Sequence, residues 1–231
     1  MKPICVIPAR RGSKRLALKN ILPLAGKPMV AYSIEAALSS GLFDRVFVST
    51  EDDEIGEIAS RYGATVHKRP VELADDLVSA TDVCIDLINA QNALGAGYDS
   101  IYCLQPSSPL RTAADICGAW EQFVKTGANY LVSVTFIDPH YFHWAIQQQN
   151  DGSGWWEMYF GDKYMIERPL LPPVYRPNGS IKIGLIEPTI ERRNFFGPHL
   201  TMYETPEDRS VHVAEQFDFD LAEFLLSRRS K

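Results

Sequence analysis

The chain has 231 residues, of which 45% are hydrophobic and 23% charged, a balance typical of one folded domain with a substantial core. The net charge of −6 argues against a nucleic-acid-binding surface. No apolar run approaches the roughly 20 residues of a transmembrane helix, and the first residues lack the order of a signal peptide. We therefore expect a single cytoplasmic domain over residues 1–231, without a nucleic-acid or membrane partner. Cysteines without metal-ligand spacing are expected to be reduced core residues: Cys5, Cys84, Cys103 and Cys117.

Apolar periodicity predicts strands that alternate with helices over the first 135 residues. Pro3–Pro8 is a continuous apolar run, typical of a strand buried on both faces. Further strands are predicted at 45–49, 64–67, 100–104, 130–135 and 180–185, and helices at 29–40, 52–62, 81–94, 113–126 and 217–227. This alternation predicts an α/β fold with a doubly wound, mainly parallel, Rossmann-like sheet flanked by helices.

The segment 138–179 departs from the alternation. It is rich in aromatic residues and proline (PHYFHW, GWWEMYF, RPLLPPVYRP) and has no clean periodicity. The segment is either a long structured loop or an irregular excursion that packs on a partner subunit. Because no amphipathic pattern would bury its aromatic side chains internally, we expect a homodimer with residues 141–160 at or near the interface.

The strongest local signal is the basic loop IPARRGSKRLALKN, which follows the first predicted strand. Ligands of open α/β sheets bind beyond the carboxyl ends of strands. Gly12 permits close backbone approach and Ser13 supplies a hydroxyl, while Arg10, Lys14 and Lys19 supply cations for phosphate oxygens. The loop matches neither the Walker A sequence nor GxGxxG. It predicts a small polyanionic ligand, with a solvated basic loop as the alternative.

This loop resembles the PARxGSKxxxxKN signature of the acylneuraminate cytidylyltransferases (CMP-sialic acid synthetases). Four further blocks keep the family's order and spacing: AGKPMVAYSIEAALSSGLFDRVFVSTEDDEI, KRPVELADD, LQPSSPLRTAADI and YRPNGSI. The resemblance spans residues 4–223. It implies an enzyme that binds CTP and a nine-carbon 2-keto acidic sugar of the sialic, legionaminic or pseudaminic acid type. The anomeric hydroxyl of the sugar would attack the α-phosphorus and release pyrophosphate.

The resemblance also implies the nucleotide-binding residues. The family's triphosphate positions match Arg10, Ser13, Lys14 and Lys19. Lys19 would contact the α-phosphate region and Arg10 the leaving pyrophosphate. Asn20 and Arg69 match residues that hold the ribose and the base. Without the resemblance, Asn20 is a turn residue and Arg69 a surface cation before Pro70.

Sugar-binding positions of the family match Gln105, Arg168, Arg176, Asn178, Lys182, Phe195 and Phe196. Arg168 or Arg176 would meet the sugar carboxylate, because a guanidinium can form a bidentate pair. Phe195 and Phe196 would pack on an acyl substituent, although two adjacent aromatic residues are more often core. Lys182 replaces the family's usual tyrosine, which indicates a different substituent or a carboxylate contact.

The metal site departs from the family pattern S-[IV]-D-I-D-x-x-x-D, whose first two aspartates hold Mg²⁺. His212 and Ala214 replace that pair, and only the third acid remains, as Asp218. Since Mg²⁺ prefers oxygen ligands, we expect it to be carried mainly by CTP, with weak ligation from Asp218. One alternative is a catalytically weak homologue that acts as a nucleotide- or sugar-binding partner subunit. Another is a Kdo cytidylyltransferase, whose loop looks more like PARxxSxRLPxK.

Overall fold

The computed structural model describes residues 1–229. Its strands and helices, in chain order, are β1 (Pro3–Pro8), β2 (Pro23–Leu24), β3 (Lys27–Pro28), α1 (Met29–Ser39), β4 (Val46–Thr50), α2 (Asp53–Arg61), β5 (Thr65–Lys68), α3 (Ala80–Ala93), β6 (Ser100–Cys103), α4 (Ala113–Thr126), β7 (Tyr130–Ile137), α5 (Pro139–His143), β8 (Ile146–Gln148), β9 (Trp156–Met158), β10 (Val174–Leu185), α6 (Ile186–Arg192), β11 (Leu200–Glu204) and α7 (Gln216–Arg229). None of these helices is long and apolar enough to cross a membrane within residues 1–229.

The main sheet has seven strands in the order β11-β7-β10-β6-β1-β4-β5. Strands β6, β1, β4 and β5 are parallel, β11 is parallel to β7, and β10 runs antiparallel to both of its neighbours. Helices α1, α2 and α4 pack on one face, and α3 and α6 cover the other. The predicted doubly wound, mainly parallel α/β fold is therefore confirmed.

Local capping explains why the predicted helix bounds differ from the observed ones by only one or two residues. Asp52 begins α2 as its N-cap, because its side chain accepts from the backbone N–H of Ile55. Thr112 forms a capping box with Asp115 at the start of α4. These side chains satisfy backbone donors that a helix leaves unpaired in its first turn.

The expected irregular segment 138–179 is shorter in the structure than in the prediction, because its last residues belong to the main sheet. Strand β10 begins at Val174, and its register against β7 shifts between Pro177 and Lys182. Proline and this bulge interrupt the period-two alternation of side chains, so the first half of the strand could not be predicted from it. The preceding residues form α5, the small hairpin β8–β9 and two 3₁₀ turns. Helix α6 and edge strand β11 were not predicted.

Candidate active site

The basic loop lies at the carboxyl edge of the sheet, where β1, β4 and β6 end side by side. A cavity opens there, of the polar, concave kind that binds small molecules. Its lining brings together predicted nucleotide and sugar residues from distant parts of the chain: Arg10, Gly12, Ser13, Lys19, Asn20, Arg69 and Gln105. We call it the nucleotide cavity. Lys14 does not line it and is exposed at its rim.

Two cations of the loop meet the carboxylate of Asp76. Arg10 Nη2 lies 2.6 Å from one carboxylate oxygen and Lys14 Nζ lies 2.5 Å from the other. Arg10 Nη1 also donates to the backbone carbonyl of Ala74 at 3.0 Å. Hydrogen bonds from Lys14 and then Arg10 lower the pKa of Asp76, so the carboxylate stays charged at neutral pH. Asp76 thus presents to both cations the oxygens that a phosphate group would offer.

Asn20 and Lys19 fix the loop from inside the protein. Asn20 Nδ2 donates to the backbone carbonyl of Arg10 at 2.8 Å, which closes the loop on itself. Lys19 Nζ donates to the carbonyl of Val213 at 2.9 Å and keeps two further donors. Burial, followed by the charges of Arg15 and Arg10, lowers the pKa of Lys19. A half-buried cation beside other cations is well placed to stabilise added negative charge.

Arg69 is a buried cation rather than a surface one, with 4% of its surface exposed. Its Nε and Nη2 donate to one oxygen of Glu51 at 3.1 and 2.7 Å. Glu51 also accepts from the backbone N–H of Arg11 at 2.8 Å. Burial raises the pKa of Glu51, but these hydrogen bonds outweigh it and lower the pKa overall. The ion pair holds Arg69 rigidly in the cavity wall.

Gln105, Ser107 and His212 converge beside Gly179. The Nδ1 of His212 lies 3.3 Å from the Oγ of Ser107. A Cβ atom at Gly179 would lie 3.1 Å from Gln105 Oε1 and 3.3 Å from His212 Nδ1. Since Gly179 also has φ of +72°, a conformation that L side chains rarely adopt, glycine is required by both space and backbone. The bulge of β10 therefore lies against both Gln105 and His212.

His212 also lines a second cavity of about 640 Å³ together with Arg176, Asp208 and Asp218, a volume within the roughly 300–1,000 Å³ of small-molecule sites. We call it the second cavity. Arg176 is exposed there. The other predicted carboxylate partner, Arg168, lies elsewhere: it is exposed, pairs with Asp138 and lines a separate groove. The structure therefore places Arg176, and not Arg168, beside His212.

The four other predicted sugar residues have different surroundings. Phe195 is 1% exposed and packs in the core with α3 and α6, whereas Phe196 is 38% exposed. Asn178 is buried, and all four hydrogen-bonding positions of its amide are engaged within the protein, by Ser133, Ser180, Thr205 and Ser210. Lys182 is half-buried near the thiols of Cys84 and Cys103, with no hydrogen-bond or ion-pair partner among residues 1–229.

The residues around Asp218 do not fit a protein-held Mg²⁺. One carboxylate oxygen of Asp218 accepts from the backbone N–H groups of Ala214 and Glu215, at 2.8 and 2.9 Å, and so caps α7. His212 offers nitrogen where Mg²⁺ prefers oxygen, and Lys19 adds a positive charge nearby. Within the described part of the chain, no group of three or more His, Cys, Asp or Glu side chains is arranged to hold a metal ion.

A family model for cytidylyltransferases matches residues 4–147, and the chain belongs to this family of nucleotidyltransferases. It is 33% identical over 234 residues to a pseudaminic acid cytidylyltransferase of Campylobacter jejuni, covering 97% of this chain and 96% of that protein. It is 34% identical to an N-acylneuraminate cytidylyltransferase of Streptococcus agalactiae, covering 95% of this chain and 52% of that protein, about half its length. The solved structure of a CMP:2-keto-3-deoxy-manno-octonic acid synthetase complexed with CTP has the same fold, with a TM-score of 0.74 at 16% identity over 99% of this chain and all of that one.

Proposed function

We propose that the protein transfers CMP from CTP to the anomeric hydroxyl of a nine-carbon 2-keto acidic sugar, and that pyrophosphate leaves. Pseudaminic acid is the first candidate sugar, with legionaminic and sialic acids as related ones. The observation that carries this proposal is the 3.3 Å contact between Ser107, which lines one cavity at the carboxyl edge of the sheet, and His212, which lines a second cavity. One is lined by Lys19, Arg10 and Arg69, and the other by Arg176. The full-length similarity to a pseudaminic acid cytidylyltransferase supports the choice of sugar.

In this proposal the nucleotide occupies the first cavity. Phosphoryl transfer depends mainly on positioning and on neutralising charge, which a loop of fixed cations supplies without a protein nucleophile. Lys19 would stabilise the α-phosphate as a fifth oxygen approaches it, and Arg10 with Lys14 would take the pyrophosphate after displacing Asp76. The backbone at Gly12 and the hydroxyl of Ser13 would contact phosphate oxygens. Asn20 and Arg69 would hold the ribose and the base.

The sugar would occupy the second cavity, with its carboxylate on Arg176. Gln105 lines the nucleotide cavity and lies, like His212, beside Gly179, and it would bind a sugar hydroxyl close to the α-phosphate. The side chain of Lys182 has no hydrogen-bond or ion-pair partner in the described part of the chain and would be available to the sugar. Phe196 is not assigned to this site, because it lies just before β11, next to the Tyr130 end of β7 at the opposite edge of the sheet, and lines neither cavity. Asn178 would act indirectly, because it holds the bulge that positions Gly179.

Three further features belong to the proposal. Mg²⁺ would be bound by the triphosphate oxygens, since the protein offers a poor donor set. The protein would act in the cytoplasm, where CTP is available. It would also be a homodimer, because side chains of the segment 141–160 are strongly exposed, with Tyr141 at 80%, Trp155 at 71% and Trp156 at 61%. Aromatic residues gathered on one surface are typical of protein interfaces.

Pyrophosphate release from CTP tests the proposal when it is measured against a panel of sugars. The panel contains pseudaminic, legionaminic and N-acetylneuraminic acids, with Kdo as the eight-carbon competitor and ATP, GTP and UTP as nucleotide controls. We expect turnover with CTP and at least one nine-carbon sugar, and a CMP-sugar product by mass spectrometry. Faster turnover with Kdo than with any nine-carbon sugar would show that Kdo is the substrate instead. CTP binding without turnover on any sugar would favour the alternative of a catalytically weak partner subunit.

A further inference from the structure

The imidazole of His212 has one engaged nitrogen and one free one. Nδ1 faces Ser107 Oγ at 3.3 Å, whereas Nε2 has no hydrogen-bond partner in residues 1–229. The histidine lines the second cavity, while its partner Ser107 lines the nucleotide cavity. The imidazole therefore lies between the second cavity and a side chain of the nucleotide cavity, and we call this position the junction. If Nδ1–H donates to Ser107, the lone pair of the ring is on Nε2.

The proposed reaction needs a proton acceptor at this junction. When the anomeric oxygen bonds to the α-phosphorus, its O–H bond must break, and the bond from that phosphorus to the bridging oxygen of pyrophosphate breaks as well. Among the side chains at the junction, Lys19 is a cation hydrogen-bonded to Val213 and Arg176 is a guanidinium. Asp218 uses one carboxylate oxygen to cap α7. His212 differs from Asp218 because it lines the second cavity and also contacts Ser107 of the nucleotide cavity, and it is a neutral base.

We propose that Nε2 of His212 accepts the proton of the attacking sugar hydroxyl, and that Ser107 positions the ring by accepting from Nδ1–H. This inference rests on the proposed function. The electron pair of the O–H bond becomes the lone pair that forms the O–P bond, and pyrophosphate leaves with the electrons of the broken P–O bond. The ring is half-buried, so the proton on Nε2 passes to solvent before the next turnover.

The surroundings of His212 keep the ring neutral at physiological pH. Burial, followed by the charge of Lys19, lowers the pKa of His212, and the carboxylate of Asp218 opposes this only in part. The charged groups that act on the ring come from the basic loop, from β10 and from α7: Lys19, Arg15, Arg176 and Asp218. A general base must be deprotonated to act, and a lowered pKa meets that condition throughout neutral pH.

The replacement His212→Gln tests the role of the ring, because glutamine keeps a polar side chain but cannot accept a proton. We expect kcat to fall about 10²–10⁴-fold while the Kd for CTP and the melting temperature stay close to those of the parent. In the parent, kcat should fall only at a pH lower than the ordinary histidine pKa of about 6.5, because the pKa of His212 is lowered and the protonated ring cannot accept a proton. The residual activity of His212→Gln should lack this fall. His199→Asn is the matched control, since His199 is exposed and its left-handed backbone suits asparagine.

Two variants of Ser107 test the positioning of the ring. Ser107→Ala should lower kcat and move the acidic fall of kcat to a different pH, whereas Ser107→Thr keeps the hydroxyl and should restore both. If the parent turns over and His212→Gln keeps its kcat and its pH profile, or raises only KM, the assignment of His212 is overturned. If the parent itself releases no pyrophosphate with any sugar of the panel, the proposed function fails, which is a distinct result.

Discussion

The Nζ of Lys19 donates to the backbone carbonyl of Val213 at 2.9 Å, joining residues 194 positions apart in the sequence. The N–H of Val213 in turn donates to the carbonyl of Ser107 at 2.7 Å. The loop after β1, the loop after β6 and the segment before α7 are thereby tied together. This connection explains how a phosphate-binding loop and a C-terminal histidine come to share one site.

Lys19→Met should reduce turnover with CTP by about 10²–10³-fold, because a preorganised charge on the transferring phosphorus is removed. The hydrogen bond to Val213 is lost as well, so the melting temperature must be measured beside kcat. Lys19→Arg, which keeps the charge, should recover part of the rate. Lys125→Met on the exposed face of α4 is the control. Near-normal turnover of Lys19→Met would show that the loop has another role.

Arg69→Met should destabilise the fold by about 3 kcal/mol, because removing one partner leaves Glu51 charged and poorly solvated. Urea unfolding measures this loss. Arg193→Met is the matched control, since Arg193 pairs with Asp82 but its side chain is 66% exposed, and a surface pair contributes about 0–1 kcal/mol. Adding Glu51→Gln to Arg69→Met should recover much of the loss. Equal losses of stability in Arg69→Met and Arg193→Met would contradict a buried ion pair at Arg69.

The stability of the fold should depend on Asp52 in the acid range. Burial raises the pKa of Asp52, but hydrogen bonds from Ile55 N–H and Arg11 outweigh it, and the pKa is lowered overall. The charged form therefore stabilises the fold above the unfolded pKa of about 3.9, and this contribution is lost as pH falls through the folded pKa.

Asp52→Asn tests this charge separately from the cap, since asparagine caps helices equally well. The variant should be less stable than the parent by about 0.5–1 kcal/mol at pH 7, and the difference should vanish as pH falls through the lowered pKa of Asp52. Unfolding curves at a series of pH values measure it. A difference that stays constant over the whole acid range would assign the effect to the shape of the side chain.

How far the sequence predicts this site depends on the kind of residue. Strand ends and the basic loop follow from periodicity and composition, so the placement of Lys19 and Arg10 at one edge could be expected. Glu51 was missed, although an acid directly after a buried strand is the available signal. The pairing of Glu51 with Arg69 depends on which strands are neighbours in the sheet, and the order of strands cannot be read from a single sequence.

Asn178 and Phe195 show the limit of a resemblance between sequences. A motif fixes the identity of a residue but not the direction of its side chain. Asn178 follows a proline on a bulged strand whose register shift only long-range pairing determines, and its amide turns inward to Thr205 and Ser210. Phe195 also turns inward because of a tertiary contact. Its ring packs against Gly184 on β10, where a Cβ atom would lie 3.3 Å from the ring.

The exposed aromatic segment predicts the assembly state. In sedimentation experiments at micromolar concentration, we expect twice the 25.9 kDa chain mass, because large exposed aromatic patches are unusual on monomers. The double replacement Trp155→Ser with Trp156→Ser should shift the protein towards monomer. Leu94→Ser, which removes an apolar side chain that is 78% exposed elsewhere, should leave the mass unchanged. A monomeric parent would remove this proposal.

Because the metal site is altered, turnover should depend only weakly on Mg²⁺, with half-maximal activity at millimolar Mg²⁺. Oxygen ligands determine the affinity for Mg²⁺, and of the three positions that are acidic in the family only Asp218 offers a carboxylate here, with one oxygen engaged in capping α7 and the cation of Lys19 nearby. Isothermal titration of the nucleotide-free protein should therefore detect no tight Mg²⁺ binding. Imidazole suits Mn²⁺ or Zn²⁺ better, so both ions belong in the titration.

Replacing His212→Asp together with Ala214→Asp restores two carboxylates at the positions where the family carries them. This double variant should bind Mg²⁺ more tightly than the parent, both free and with CTP, and its turnover should become more sensitive to a chelator. The titration reads binding directly, so the result does not depend on whether the variant is active. If the nucleotide-free parent already bound Mg²⁺ tightly, other acids such as Asp208 or Asp220 would have to move together to form a site. Asp218 would then have to give up its hydrogen bonds to the backbone of Ala214 and Glu215 when the metal binds.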